Sequence, residues 1–286
     1  MDAGDLVLQG ETLPGDLLEK ARMATGGRRV LPGSPQTTPQ VARFSGARRG
    51  AAFDALVPEI EAARVDWAFM PAGARLSDYR LIAFDMDSTL IAIECIDELA
   101  DFAGRKSEVA AVTEAAMQGE IDYPESLRRR LALLAGLDAR VLAEVYAERL
   151  RLSPGARELL AAARSAGLRT VLLSGGFTYF TERLRIELGF DFATSNELEI
   201  AGGKMTGRVL GEIVDAEAKA KALRHLKAEQ GLRREMVIAV GDGANDLRMM
   251  AEAGLSVAYH AKPATRAKAD VALNFCGLDG LLRLFA

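Results

Sequence analysis

From Arg80 onward, short and almost wholly apolar runs alternate with longer amphipathic ones. RLIAFD (80–85), RTVLLSGG (169–176), EMVIAVGDG (235–243), LSVAYH (255–260) and ADVALN (269–274) have strand length and little polar interruption. Such runs are expected of parallel strands buried on both faces. PGARELLAAARSAG (154–167), YFTERLRIELG (179–189), AEAKAKALRHLKAEQG (216–231) and ANDLRMMAEAG (244–254) carry helical periodicity and run into glycine, a common C-terminal stop. NELEIAGGKMTGRVLG (196–211) predicts a β-hairpin around Gly202-Gly203. The alternation predicts an α/β fold with a doubly wound, mostly parallel sheet. Residues 93–150, between the first two strands, are helical in pattern and far too long for an ordinary crossover, which predicts an inserted helical cap.

The first 75 residues read differently. DLVLQG (5–10) predicts a strand and DLLEKARMA (16–24) a helix; RRVLPGS and QVARFSG predict two strands around the turn-rich PGSPQTTP. AAFDALVPEIEAARV is an amphipathic helix with Phe53, Leu56, Ile60 and Ala63 near one face, and VDWAFM (65–70) is a final strand. The order β-α-β-β-α-β is ferredoxin-like. The expected organisation is an N-terminal α+β domain over 1–75, regulatory or dimerising, and a catalytic domain over 78–286. A homo-oligomer is therefore an expectation.

Composition removes several classes of function. The net charge is −4, and the densest basic cluster, RRR at 128–130, is too short for a nucleic-acid surface. No apolar run reaches the roughly 18–20 residues that span a bilayer, and the acidic start lacks the basic n-region of a signal peptide. The two cysteines, Cys95 and Cys276, have no metal-like spacing, so a reduced, cytoplasmic protein is expected.

The candidate chemistry lies at strand ends, where open α/β sheets bind ligands. RLIAF ends in Asp85-Met86-Asp87-Ser88-Thr89, TVLL in Ser174-Gly175-Gly176, and VIAV in Gly241-Asp242-Gly243-Ala244-Asn245-Asp246. One strand-end aspartate is as readily a turn or a cap. Several such ends together predict a crevice of carboxylates, which repel unless a cation joins them. Oxygen ligands without His or Cys favour a hard ion such as Mg²⁺, which would let a phosphate dianion approach. A carboxylate can attack phosphorus, and a second carboxyl two residues on can serve as acid and base. Asp85 and Asp87 meet that spacing. Lys219 sits near a predicted helix start, a place for a point-charge phosphate contact.

These residues also carry a resemblance. DMDST (85–89) is similar to the DxDx[TV] nucleophile motif of the haloacid dehalogenase superfamily. LSGG (173–176) resembles its second motif, AKAK (218–221) its lysine motif, and GDGAND (241–246) its metal motif. The resemblance implies Asp85 as nucleophile and Asp87 as general acid/base. Ser174 and the Gly175 N–H would bind phosphate oxygens, and Lys219 would contact the phosphoryl group. Asp85, the Asp87 carbonyl and Asp242 would bind Mg²⁺, with Asn245 and Asp246 supporting the metal or phosphate end. DMDSTLIAIECIDELA, EAAMQGEIDYPESLRRRLALL and GKMTGRVLGEIVDAEAKAKAL further resemble the phosphoserine phosphatase family of that superfamily, over about 80–286. That likeness implies hydrolysis of phosphoserine, the last step of serine biosynthesis. Glu94 would take the substrate ammonium, Arg130 its carboxylate, and Met117 and Tyr123 would line the cap pocket. The family more often has Phe where Tyr123 stands. The alternatives are another small phosphomonoester, phosphotransfer to an acceptor such as homoserine, or a non-catalytic module holding phosphate and Mg²⁺.

Overall fold

The computed structural model describes residues 3–30 and 40–286. The predicted turn PGSPQTTP and the end of the strand before it lie outside the described residues. The chain begins with β1 (Gly4–Gly10), α1 (Gly15–Thr25), β2 (Arg28–Val30), β3 (Gln40–Ala47), α2 (Ala51–Ala62) and β4 (Asp66–Met70). There follow β5 (Leu81–Phe84), α3 (Cys95–Phe102), α4 (Lys106–Met117), α5 (Tyr123–Ala132), α6 (Val141–Glu144), α7 (Ala156–Ser165) and β6 (Arg169–Phe177). The remainder is α8 (Thr178–Leu188), β7 (Phe192–Ala201), β8 (Lys204–Leu210), α9 (Ala216–Glu229), β9 (Val237–Gly241), α10 (Leu247–Ala251), β10 (Leu255–Tyr259), α11 (Pro263–Arg266) and β11 (Val271–Leu273). The core strands run mostly parallel between helices, so the fold class is α/β, as the alternating pattern predicts. Among the described residues, no helix is long and apolar enough to cross a membrane.

The chain forms two compact units. The first comprises Met1–Ile82, Pro154–Leu168 and Arg233–Ala286. Its N-terminal strands pair antiparallel in the order β2-β3-β1-β4, the pattern expected from β-α-β-β-α-β. Leu6, Leu8 and Phe44 on the strands bury against Leu17, Leu18 and Ala21 of α1 and Phe53, Leu56 and Ile60 of α2. Phe53 meets Trp67 and Phe69 edge-on, at centroid distances of 5.2 and 5.0 Å, a favoured aromatic geometry. Beyond β4 the sheet continues: Trp67 bridges Ala272 of β11 antiparallel, and β11, β10 and β9 are parallel neighbours.

Polar ties fasten the last residues to these N-terminal strands, among them Gln9 Nε2 donating to Gly280 O at 3.0 Å. Asp66, 1% exposed, accepts backbone N–H bonds from Asn274, Phe275 and Cys276 at 2.7, 3.1 and 2.9 Å. Burial pushes its carboxyl above the ordinary range, and the three donors oppose that rise. Arg43 donates to the carbonyls of Arg283, Leu284 and Phe285 through Nη2, and pairs with Asp5 at 3.2 Å.

The second unit comprises Ala83–Ser153 and Arg169–Leu232. The predicted hairpin turns at Gly202-Gly203, both with positive φ, but its first strand starts earlier than expected. Phe192–Thr194 of β7 pair parallel with β6, and Glu197–Ala201 then pair antiparallel with β8. The half-buried ATS of 193–195 makes no apolar run, which is why the pattern does not reveal this start. Between Cys95 and Arg149 the described residues form the helices α3 to α6, joined by turns. Their core includes Leu99, Val109, Leu127, Leu131, Leu134 and Val145. Backbone bonds tie the loop after α5 to β8: Gly136 N–H to Met205 O at 2.8 Å and Met205 N–H to Leu137 O at 2.9 Å. Gly207 (φ +83°) lets α5 approach, since a Cβ there would come within 3.0 Å of the Leu131 carbonyl.

Asp66→Ala removes the shared acceptor of three N–H groups, one buried and two partly buried, and should lower the stability to urea by about 3 kcal/mol. Asp66→Asn, which keeps one acceptor oxygen, should lose less. Equilibrium urea unfolding of both variants checks the order.

Candidate active site

The first expected motif opens on the last turn of a fully buried strand. β5 ends at Phe84, and Asp85 is extended (φ −73°, ψ 162°) with its Oδ1 accepting the Met86 N–H at 2.7 Å. The chain then turns sharply through Ser88, at φ +55°, and closes with Ile91 N–H on Met86 O at 3.0 Å. A non-glycine residue in that region is uncommon and strained. The turn aims Asp87 back beneath the start of α3, where its Oδ1 accepts the Cys95 N–H at 3.0 Å. Cys95 itself is buried, as expected of a small apolar residue, and burial holds its thiol well above the ordinary range.

Lys219 comes from α9. Asp215 caps that helix, accepting the Ala218 N–H at 2.8 Å, and so fixes the first turn that carries the lysine. Lys219 Nζ lies 2.7 Å from Asp85 Oδ1, with side chains 1% and 6% exposed. A lysine buried to this degree keeps its charge only beside an anion.

The second motif forms a tight loop at the end of β6. Ser174 is fully buried, and its Oγ accepts the Gly176 N–H at 2.8 Å. Neither glycine admits a side chain. A Cβ on Gly175 would strike the Tyr123 hydroxyl, and one on Gly176 would lie 2.6 Å from Asp87 Oδ2. The glycines thus bring backbone against the two groups that matter here, a structural reason for LSGG.

The cap supplies the next set. Glu94 Oε1 accepts the Ser88 hydroxyl at 2.6 Å. Glu94 keeps one face in solvent. The surrounding protein, with help from Asp87, still pushes its carboxyl up to about 7, while Ser88 and the Arg130 charge pull the other way. Arg130 is half-buried on α5, its Nε 3.4 Å from the Ser126 carbonyl. Tyr123, the first residue of α5, donates its hydroxyl to Gly175 O at 3.0 Å. Burial pushes its phenol up to about 12, against the pull of Lys219 and Arg130, so it remains a donor at ordinary pH. Met117 ends α4, and its side chain lies outside the described set.

The third motif belongs to the first unit. β9 ends at Gly241, and Asp242 and Asn245 follow on the turn, the first half-buried and the second exposed. Asp246 is fully buried and accepts the Gly243 N–H at 3.1 Å. Gly241 has no room for a Cβ because the Asp246 side chain packs on it. Asp242 and Asp246 of this unit, like Asp85 of the second, are acids of the type that can hold a metal ion. Their donors are all carboxylate oxygens, a set that fits a hard divalent cation.

Within the second unit, therefore, Asp85, Asp87, Glu94, Arg130, Ser174, Gly175 and Lys219 occur with direct or electrostatic links among them. The sequence reading passed over Ser88, Asp215 and Asn196. Asn196, 1% exposed, donates to Gly175 O at 2.8 Å and accepts the Val214 N–H at 2.8 Å. Asp215 was open to reading as an N-cap one residue ahead of a helix. A lone Asn inside a strand offers no such sign.

Residues 82–251 match the family model for haloacid dehalogenase-like hydrolases. A phosphoserine phosphatase of Polaromonas sp. is 59% identical over 215 residues, 73% of this chain and 91% of that protein. The crystal structure of a probable phosphoserine phosphatase from Vibrio cholerae, in unliganded form, superposes with a TM-score of 0.81 at 39% identity, over 98% of this chain and 86% of that one. A substrate-bound phosphoserine phosphatase structure gives 0.68 at 36% identity, over 73% of this chain and 99% of that one.

Glu94 generates a pH prediction. A carboxyl raised in the folded state contributes stability that is fully present below its ordinary 4.5 and is lost as pH rises through about 7. Glu94→Gln removes that loss. Melting curves of the metal-free protein from about pH 5 to about pH 8 should show the variant gaining on the wild type as pH rises.

Proposed function

The chain belongs to the haloacid dehalogenase-like hydrolases, and on that premise we propose that it hydrolyses O-phospho-L-serine to L-serine and phosphate through an aspartyl-phosphate at Asp85. The observation that carries this reading is the buried Asp85–Lys219 pair, in the unit that also holds the Ser174–Gly176 loop, with Glu94 and Arg130 on the cap side. Phosphoserine has a phosphate, an ammonium and a carboxylate. The chain has a lysine and loop for the first, an acid for the second and a guanidinium for the third. Arg suits a planar carboxylate through bidentate bonding. Met117 and Tyr123 would line the remaining cap surface.

In the first step an Asp85 carboxylate oxygen forms a bond to phosphorus as the bond from phosphorus to the serine oxygen breaks. Asp87 gives its proton to that departing oxygen. In the second step Asp87 takes a proton from water, whose oxygen bonds to phosphorus as the acyl-phosphate bond to Asp85 breaks. Lys219 offsets negative charge at Asp85 throughout, and Ser174 and the Gly175 N–H hold phosphoryl oxygens. Asp85, the Asp87 carbonyl and Asp242 would hold Mg²⁺, with Asp246 and Asn245 in support; phosphatases of this family generally use that ion, which screens the phosphate dianion. The free, buried Cys95 and Cys276 suit a reduced cytoplasm.

Asp85→Asn should lower kcat at least about a thousand-fold while leaving the melting transition cooperative. Turnover by that variant near the wild-type rate would remove the covalent step. Chelation should abolish phosphate release, and added Mg²⁺ should restore it. Phosphate release from phosphoserine, phosphothreonine and a phosphomonoester without an amino-acid head, each with and without added homoserine, tests the substrate. Phosphoserine should lead. Glu94→Gln and Arg130→Lys should raise its KM roughly ten-fold or more and barely affect the headless ester.

A further inference from the structure

The carbonyl of Gly175 is held twice. The Tyr123 hydroxyl donates to it from the cap at 3.0 Å, and the Asn196 amide donates to it from β7 at 2.8 Å. In a trans peptide the carbonyl and the following N–H point in opposite directions in one plane. Fixing Gly175 O therefore fixes the Gly176 N–H, which donates to Ser174 Oγ at 2.8 Å. A hydroxyl that accepts this bond has its own proton left to give. The grip on Gly175 thus turns Ser174 into a donor.

The same Asn196 reaches the lysine helix. Its Oδ1 accepts the Val214 N–H at 2.8 Å, and the next residue, Asp215, is the cap of α9. Four residues on, Lys219 meets Asp85. A continuous line of hydrogen bonds and backbone thus runs from Tyr123, at the start of the cap helix α5, through Gly175 and Asn196 to the groups proposed to face phosphate.

We propose that Tyr123 and Asn196 are positioning residues which join cap and phosphate grip into one event: seating the Tyr123 hydroxyl on Gly175 completes the phosphate site. The inference rests on the phosphate-binding role given above to Ser174, Gly175 and Lys219, but not on the identity of the alcohol. It assigns the phenol oxygen a task that a Phe ring cannot perform. Opening the cap breaks the Tyr123 bond, releases the Gly175 peptide to Asn196 alone, and weakens the hold on product phosphate as it leaves.

The test is inhibition by inorganic phosphate, with free L-serine as the control ligand, on the Mg²⁺-loaded full chain. Tyr123→Phe keeps the ring and should raise the phosphate Ki about five-fold, the size expected for one partly buried hydrogen bond. The serine Ki should stay within two-fold, whereas general loosening would weaken both. Asn196→Ala should also raise the phosphate Ki, and the double variant should depart from the product of the two single effects, because both act on one carbonyl. Should Asn196→Ala not fold, Tyr123→Phe decides alone. A phosphate Ki unchanged in Tyr123→Phe, or one that rises together with the serine Ki, overturns the inference. If serine fails to inhibit the wild type, the phosphoserine reading is at fault; the headless ester then becomes the assay substrate, and its KM replaces the serine Ki as the control.

Discussion

The buried ion pair between Lys219 and Asp85 is the constraint around which the second unit is built. Both side chains are almost wholly withdrawn from water, and stripping two charges of solvent costs several kcal/mol each. A contact of 2.7 Å offsets that cost only if both ends are held. Asp85 is held by the Met86 N–H and by the end of a fully buried strand. Lys219 is held by a helix whose first turn Asp215 fixes. Lysine is a compact point charge on a flexible stem, so the rigidity has to come from the backbone that carries it. Stability alone would favour an apolar pair of similar volume. The pair holds a carboxylate beside a cation and fixes its direction, which suits the role proposed for Asp85.

The surroundings follow the same logic of backbone in place of side chain. At Gly175 and Gly176 no Cβ fits, so main chain stands against Tyr123 on one side and Asp87 on the other. Ser88 sits at positive φ so that the turn after Asp85 returns quickly enough to bring Asp87 under the Cys95 N–H. Its hydroxyl then satisfies Glu94, which links the strained turn to the carboxylate proposed to read the substrate ammonium. Strain at Ser88 and the raised carboxyl at Glu94 are each unfavourable alone. They persist because the neighbouring strand and cap over-determine the turn.

Much of this was legible beforehand, and the exceptions have physical causes. The apolar runs ending in Asp85, Ser174 and Gly241 read correctly as strands, because a strand buried on both faces leaves no other composition open to it. The Gly202-Gly203 turn read correctly because paired positive φ values demand glycine. The early start of β7 did not, since its half-buried, small and polar residues make no periodic signal. Asn196 was missed for a deeper reason. Its importance lies in two backbone partners, Gly175 and Val214, which are 21 and 18 residues away, and backbone partners leave no mark in side-chain pattern. The resemblance likewise brought Tyr123 forward as a pocket wall, whereas the structure shows its oxygen engaged with the loop.

The same reasoning bears on the N-terminal strands of the first unit. β11 is only three residues long, pairs with β10 on one side and would otherwise be an open edge, with unpaired N–H and C=O groups available to another chain. β4 covers that edge at Trp67, Asp66 takes the three N–H groups that follow β11, and Arg43 gathers the carbonyls near the chain end. The sheet so protected runs through β10 to β9, whose end bears Asp242 and Asp246. A carboxylate turn can hold a cation at fixed distances only if the strand beneath it keeps its register, and buried faces such as those of β9 and β10 specify register strongly. Whatever else residues 1–75 do, their strands supply a pairing partner and a set of acceptors that β11 lacks on its own, and the acidic turn of this unit follows β9, two strands along from β11.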